Sequence, residues 1–179
     1  MRTITAAFMA SLFLTLPALA QGAAQAPSTL PGGANASSEA HGDWTVACQM
    51  NGPDKLCVVS QSLGNAGTGE RVLAIELSMP APNRAEGMLL MPFGLKLADG
   101  IQFQVDGSGL GAAPRPFLTC IANGCLVPLI FDEPTLAALR VGKKLSVVGM
   151  RADNGQQVSL DVSLTGFTAA TSRAVELSK

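Results

Sequence analysis

Four cysteines, Cys48, Cys57, Cys120 and Cys125, are the residues of this 179-residue chain whose chemistry depends most on spacing. Eight residues separate the first two and four separate the second two. Zinc knuckles use short C-x2-C to C-x4-C steps in both halves, and the chain has a single histidine, so no metal is expected. A thiol redox site would set C-x-x-C beside a helix, which neither pair does. Disulfides remain. Of the three pairings that four cysteines allow, the local pairs 48 with 57 and 120 with 125 are the simplest.

Catalytic groups are hard to assemble. His41, the only histidine, falls in a polar stretch with no rigid neighbour to orient it, which argues against a Ser-His or Cys-His nucleophile. Gly107-Ser108-Gly109 lacks the G-x-S-x-G elbow and its following helix. Asp99 and Asp106 are carboxylates at strand ends with nothing to raise them above scattered surface acids, and Asp132-Glu133 reads as a helix cap. No catalytic residue and no cofactor is expected. For binding, Arg84 in the connector 81–87 and Arg115 at the end of the Gly/Ala/Pro loop 107–115 are the candidate contact residues.

The elements that must position these residues are short strands. Around the second cysteine pair, Phe117-Leu118 and Leu126-Val127 flank Asn123-Gly124, a turn signal, so residues 114–128 predict a hairpin in which a four-residue loop sets Cys120 opposite Cys125. Pro114, Pro116 and Pro128 bound it. The loop between Cys48 and Cys57 carries its own turn signal, Asn51-Gly52-Pro53. Strand patterns recur at 44–49, 56–63, 71–79, 88–97 with a break at Pro92, 101–106, 117–120, 125–130, 144–151 and 157–164. The clearest alternates Val158, Leu160, Val162 and Leu164 with Gln157, Ser159, Asp161 and Ser163, the period of a strand with one face on a core. Nine short strands broken by Gly, Pro and Asn predict an all-β antiparallel sandwich or barrel. One short connecting helix is expected, capped by Asp132 or Glu133, with Pro134 in its first turn and Gly142 at its end; residues 168–177 would form a second short helix or fray.

The ends of the chain read differently. Arg2, an apolar run over 4–16, Pro17 and Ala18-Leu19-Ala20 form a secretory signal pattern, with cleavage expected after Ala20. The run is too short to span a bilayer, and no later segment approaches the roughly 20 apolar residues a membrane helix needs. Residues 21–41, poor in charge and without apolar period, are expected to be a flexible leader, and 171–179 a tail beyond a single domain at 42–170. Without residues 1–20 the balance is 11 basic against 13 acidic side chains, which with no tyrosine and one tryptophan argues against nucleic acid. Export to an oxidising compartment, periplasmic or outside the cell, agrees with the disulfides.

Gly42-Asp43-Trp44 leading to Cys48, then Cys57, Met88-Leu89-Leu90-Met91-Pro92 with Phe93-Gly94, Asp99-Gly100-Ile101 to Asp106-Gly107, Pro116-Phe117 to Cys120, Asn123-Gly124-Cys125 and the ending from Ser163 to Ala170 together resemble the invasion-associated locus B family of bacterial exported proteins, over about residues 42–170. The resemblance implies a periplasmic or envelope β-sandwich, immunoglobulin-like in outline, in a family named for a pathogen protein linked to invasion of host red cells. It carries over only the four cysteines, as structural positions. The expected function is a non-enzymatic binding module for an envelope or host-surface partner whose identity the chain does not reveal. A host-directed adhesin, and a carrier of a small apolar ligand lined by residues 88–91, are the alternatives.

Overall fold

The period-two stretches form strands in the computed structural model, which describes residues 29–65, 67–111 and 113–179. In chain order the strands are β1 (Ala36–His41), β2 (Trp44–Asn51), β3 (Asp54–Gly64), β4 (Arg71–Ala81), β5 (Arg84–Met91), β6 (Gln102–Val105), β7 (Ser108–Gly109), β8 (Thr119–Ile121), β9 (Gly124–Phe131), β10 (Lys144–Met150) and β11 (Gln157–Ser163). Helix α1 (Glu133–Val141) joins β9 to β10, and α2 (Phe167–Leu177) ends the chain.

The strands form two antiparallel sheets. The larger has the order β1-β2-β3-β4-β5-β9-β8 and the smaller β11-β10-β6-β7. Five consecutive strands of the larger sheet are a meander, which short turns at 52–53 and 82–83 allow. Alternation decides which side chains enter the core: Trp44, Val46 and Cys48 of β2, Val59 and Gln61 of β3, and Leu73, Ile75 and Leu77 of β4 are all buried on one face. Against that face lie the smaller sheet, through Phe103, Val105, Leu145, Val147 and Val162, and both helices, through Leu136, Leu139, Phe167, Ala170 and Ala174.

Polar atoms in this seam find partners. Ser163 at the end of β11 accepts hydrogen bonds at its carbonyl from Trp44 Nε1 (2.9 Å) and Gln61 Nε2 (3.0 Å), and its N–H donates to Gln61 Oε1 (3.0 Å). One side-chain amide thus satisfies both backbone groups of a residue in the facing sheet, which removes the desolvation cost they would otherwise carry. Nearby, the turn after β1 meets the turn before α2. Asp43 N–H donates to Thr165 O (3.1 Å), and a Cβ at Gly42, whose φ is +59°, would lie 2.6 Å from that same oxygen. Phe167 then packs edge-on against Trp44, ring centres 5.0 Å apart. The Gly-Asp-Trp and Thr-Gly-Phe triplets, more than a hundred residues apart, are therefore the two halves of one joint.

Several boundaries differ from the sequence reading. The last part of the expected leader, Ala36–His41, is strand β1, hydrogen-bonded to β2, and Leu30 is 1% exposed within the core. The flexible leader therefore does not extend over 36–41. The expected tail at 171–179 is mostly the second half of α2, with Thr171, Ala174 and Leu177 buried, so of the two outcomes expected for 168–177, a short helix or fraying, the helix forms and the domain runs past 170. The reason is shared: an edge strand and a small-residue helix bury area only through neighbours that are distant in sequence. The signal pattern at 1–20 lies outside the described residues. Among the described residues, no helix is long and apolar enough to cross a membrane.

Candidate functional site

The cysteines pair locally. Cys48 faces Cys57 across β2 and β3 with Cα atoms 4.1 Å apart, and Cys120 faces Cys125 across β8 and β9 at 3.9 Å. Pairing in the second hairpin runs one step past the cysteines, to Ile121 with Gly124, so its loop is the two residues Ala122-Asn123 rather than the four between the cysteines. Directly opposed partners in an antiparallel ladder bring their side chains close enough for the bond, which is why these spacings closed locally.

The residues considered for catalysis are used for structure. Asp106, at φ +49°, accepts from the backbone N–H groups of Lys143 (3.0 Å) and Lys144 (3.1 Å), clasping the turn between α1 and β10. Asp99 pairs instead with Lys96 at 3.0 Å. Asp132 caps α1 by accepting from Thr135 N–H (3.1 Å), and its hydrogen bonding with Thr135 holds its carboxyl below the usual range. Ser108 lies in the short strand β7. His41 sits on β1, 3.4 Å from Glu39, so it does have an oriented neighbour. Glu39 in turn accepts from Nε and Nη2 of Arg173 on α2, at 2.8 and 2.9 Å, and this paired hydrogen bond keeps its carboxyl below the ordinary value. The group docks β1 onto α2. Among the described residues, no cluster of three metal-ligating side chains occurs.

The surface that remains is the outer face of the larger sheet. Both helices and the smaller sheet pack on the inner face, so among the described residues the outward side chains are exposed or partly exposed, apart from Ala74 at 7%. Register sets them in rows. Ala47 faces Val58, and Gln49 faces Leu56. Ser78 faces Glu86, which faces Ile130; Glu76 faces Met88, which faces Pro128; Ala74 faces Leu90, which faces Leu126. Leu56, Val58 and Ile130 are 49%, 37% and 48% exposed. Around Ala47, Leu56 and Val58 the face is hollowed into a depression of about 440 Å³ over the Cys48–Cys57 bond. Two apolar areas thus flank a polar stripe of Ser78, Glu76 and Glu86, and Glu76 makes no ion pair among the described residues.

Arg84 and Arg115, far apart in sequence, are each linked to Ile130, by different routes. Arg84 pairs with Glu86, the cross-strand partner of Ile130, and Arg115 Nη2 reaches Ile130 O at 3.5 Å. Arg115 is also fixed through its backbone, which exchanges two hydrogen bonds with Ile101 (2.7 and 2.9 Å). Strand β8 stops short of this part of β9, and Pro128 and Arg115 protect the open edge there, one lacking an N–H and the other occupying a carbonyl. The residues 88–91 divide between faces: Leu89 and Met91 enter the core while Met88 and Leu90 point outward, which a single ligand-lining surface would not do.

Sequence reasoning missed Leu56, Val58 and Ile130 as surface residues. A signal was present. The run Cys125-Leu126-Val127-Pro128-Leu129-Ile130-Phe131 is apolar without alternation, which marks a strand with apolar side chains on both faces.

A family model described as Invasion associated locus B (IalB) protein matches residues 44–174. An invasion protein B homologue of Brucella abortus is 39% identical over 180 residues, and invasion protein B of Bartonella bacilliformis 32% over 189 residues, each alignment covering 100% of both chains. The crystal structure of invasion associated protein B from Bartonella henselae superposes with a TM-score of 0.72 at 31% identity, covering 79% of this chain and 96% of that one.

Proposed function

Because the chain belongs to the invasion associated locus B family, we propose that it is a non-enzymatic exported envelope protein that binds another envelope protein through the outer face of its larger sheet. In this reading residues 1–20 are a signal removed on export, and the partner sits on Leu56, Val58 and Ile130, with Arg84 and Arg115 at its rim. The outer face carries the reading: exposed apolar areas on either side of a charged stripe are costly to leave in water and are what partner surfaces cover. Glu76, which has no ion-pair partner among the described residues, favours a partner presenting basic side chains. The two disulfides suit an oxidising compartment.

A photo-crosslinking residue at position 58 or 130, with one at Asn154 in the β10–β11 turn as reference, tests this in intact cells. Capture of one envelope protein from 58 and 130 but not 154 is the expected result. Equal capture from all three positions, or from 154 alone, overturns it. The names of the Brucella and Bartonella relatives support a second reading, in which the exported protein meets a host surface. Recovery of the protein outside the cell, with crosslinks to host membrane proteins and none to the envelope, would favour that one.

A further inference from the structure

At the end of the larger sheet away from the Gly52-Pro53 turn, Glu70, Arg71, Pro92, Phe93, Ala122 and Asn123 surround an open depression of about 380 Å³. Its three walls are turns held from outside it. The turn before β4 is closed by Asn65 N–H donating to Glu70 O (2.8 Å), while Asn65 Oδ1 accepts from Gly67 (2.8 Å) and Thr68 (3.2 Å). The loop after β5 is tied to the smaller sheet, Ala152 N–H donating to Gly94 O and Lys96 N–H to Met150 O, both at 2.8 Å. The Ala122-Asn123 turn is held by the Cys120–Cys125 bond beside it. Side chains on turns pinned in this way are preorganised for a ligand.

What these turns present is unusual for this molecule. Phe93 is 59% exposed on its tied loop. Of the arginines among the described residues, Arg84, Arg151 and Arg173 pair with carboxylates, and Arg115 and Arg140 donate to backbone carbonyls. Arg71 alone does neither, and the side chains of Glu70 and Asn123 also make no internal hydrogen bond. An aromatic platform, a free guanidinium, a carboxylate and an amide therefore converge on one open hollow.

We propose that this depression binds a saccharide carrying a carboxylate. The C–H face of the sugar ring lies on the Phe93 ring, which has a negative face and takes partly positive hydrogens. Arg71 receives the carboxylate in a two-pronged hydrogen bond that lysine could not supply. Sugar hydroxyls both donate and accept, and Asn123, with an NH2 and a carbonyl, and Glu70, an acceptor, answer both roles. An acidic peptide would share the Arg71 contact, but its apolar side chains need an enclosed slot, whereas this platform is open to solvent. The site lies at the sheet end, separate from the outer face around Ile130, so the two proposals fail independently.

The test is a titration of the oxidised, exported protein by amide NMR with N-acetylmuramic acid and with N-acetylglucosamine, which shares the ring but lacks the carboxylate. Expected are saturable shifts confined to residues 70–71, 92–94 and 121–124, with the acidic sugar about tenfold tighter. Arg71→Leu should erase that preference while leaving weak binding of both sugars, and Phe93→Ala should abolish both. Both side chains are exposed, so the unchanged amide spectrum elsewhere verifies folding of each variant. Absence of saturable shifts, equal affinity of the parent protein for the two sugars, or a preference for the acidic sugar that survives Arg71→Leu overturns the proposal. So does a response at these residues to acetyl-Asp-Glu with none to either sugar.

Discussion

In the β2–β3 hairpin the disulfide is the fourth of seven cross-strand pairs and both cysteines are buried, whereas in β8–β9 it is the middle of three pairs and Cys120 is exposed. The loops the two bonds close differ, with sequence separations of 9 and 5, but loop entropy grows only with the logarithm of length, so on chain entropy alone each would stabilise the fold by about 2–3 kcal/mol. Their surroundings differ. The first hairpin carries Trp44 and Gln61, which reach across to Ser163 and Phe167, and it is flanked by β1 and β4. The second has a free edge, and β8 holds to the sheet through one short ladder. A staple inside a joint resists unfolding of the whole, while a staple at a margin mainly keeps a local element from opening.

The sharpest way to probe the first region is Trp44→Ala. It removes the largest buried side chain of the joint and a donor to Ser163, and should cost about 3–5 kcal/mol, read by urea unfolding followed by circular dichroism. Replacing Cys48 and Cys57 together by Ala should lower global stability by about 2–3 kcal/mol. Gln61→Leu comes next, at about 1–3 kcal/mol, because it strands the N–H of Ser163 in the seam and leaves the Ser163 carbonyl to Trp44 alone. Cys120→Ala with Cys125→Ala should cost less than about 1 kcal/mol globally, since the freed native hairpin frays and regains entropy as the unfolded chain does, yet hydrogen exchange at residues 119–121 should speed markedly. Equal global losses for the two cysteine pairs would break the comparison.

The smallest effect concerns pH. Glu39 lies beside the first hairpin, and its folded pKa is lowered, chiefly by Arg173, from an ordinary 4.5. Its contribution is therefore present above that value and fades as pH falls through the folded one. Stability of the parent protein should drop more steeply below about pH 4.5 than that of Glu39→Gln, measured as unfolding midpoint against pH.

How much of this was legible follows from range. The strands with alternating side chains, β4 and β11 above all, could be read because period two is a local property of a half-buried strand. So could Asp132 and Pro134 at the start of α1. Strand β1 could not: Ala36-Ser37-Ser38-Glu39-Ala40-His41 has no apolar period, and it is a strand because β2 offers it backbone partners and Arg173, 134 residues away, takes Glu39. The candidate site divides the same way. Arg84 and Arg115 were singled out as loop arginines, but the link of Arg84 to Ile130 depends on β5 pairing with β9, and that of Arg115 on the 107–115 loop returning to β9.

By itself the sequence determined most of the strands, helix α1 and the two local staples, since turn chemistry, alternation and short cysteine spacing act within a few residues. It also carried the family, through an ordered set of weak motifs. Tertiary structure alone decided that, among the described residues, no element covers the outer face of the larger sheet and none pairs with Arg71 beside Phe93, and that Gly42 and Gly166 meet. Each of those depends on which distant segment arrives to bury a face or claim a charge, and no local pattern encodes that arrival.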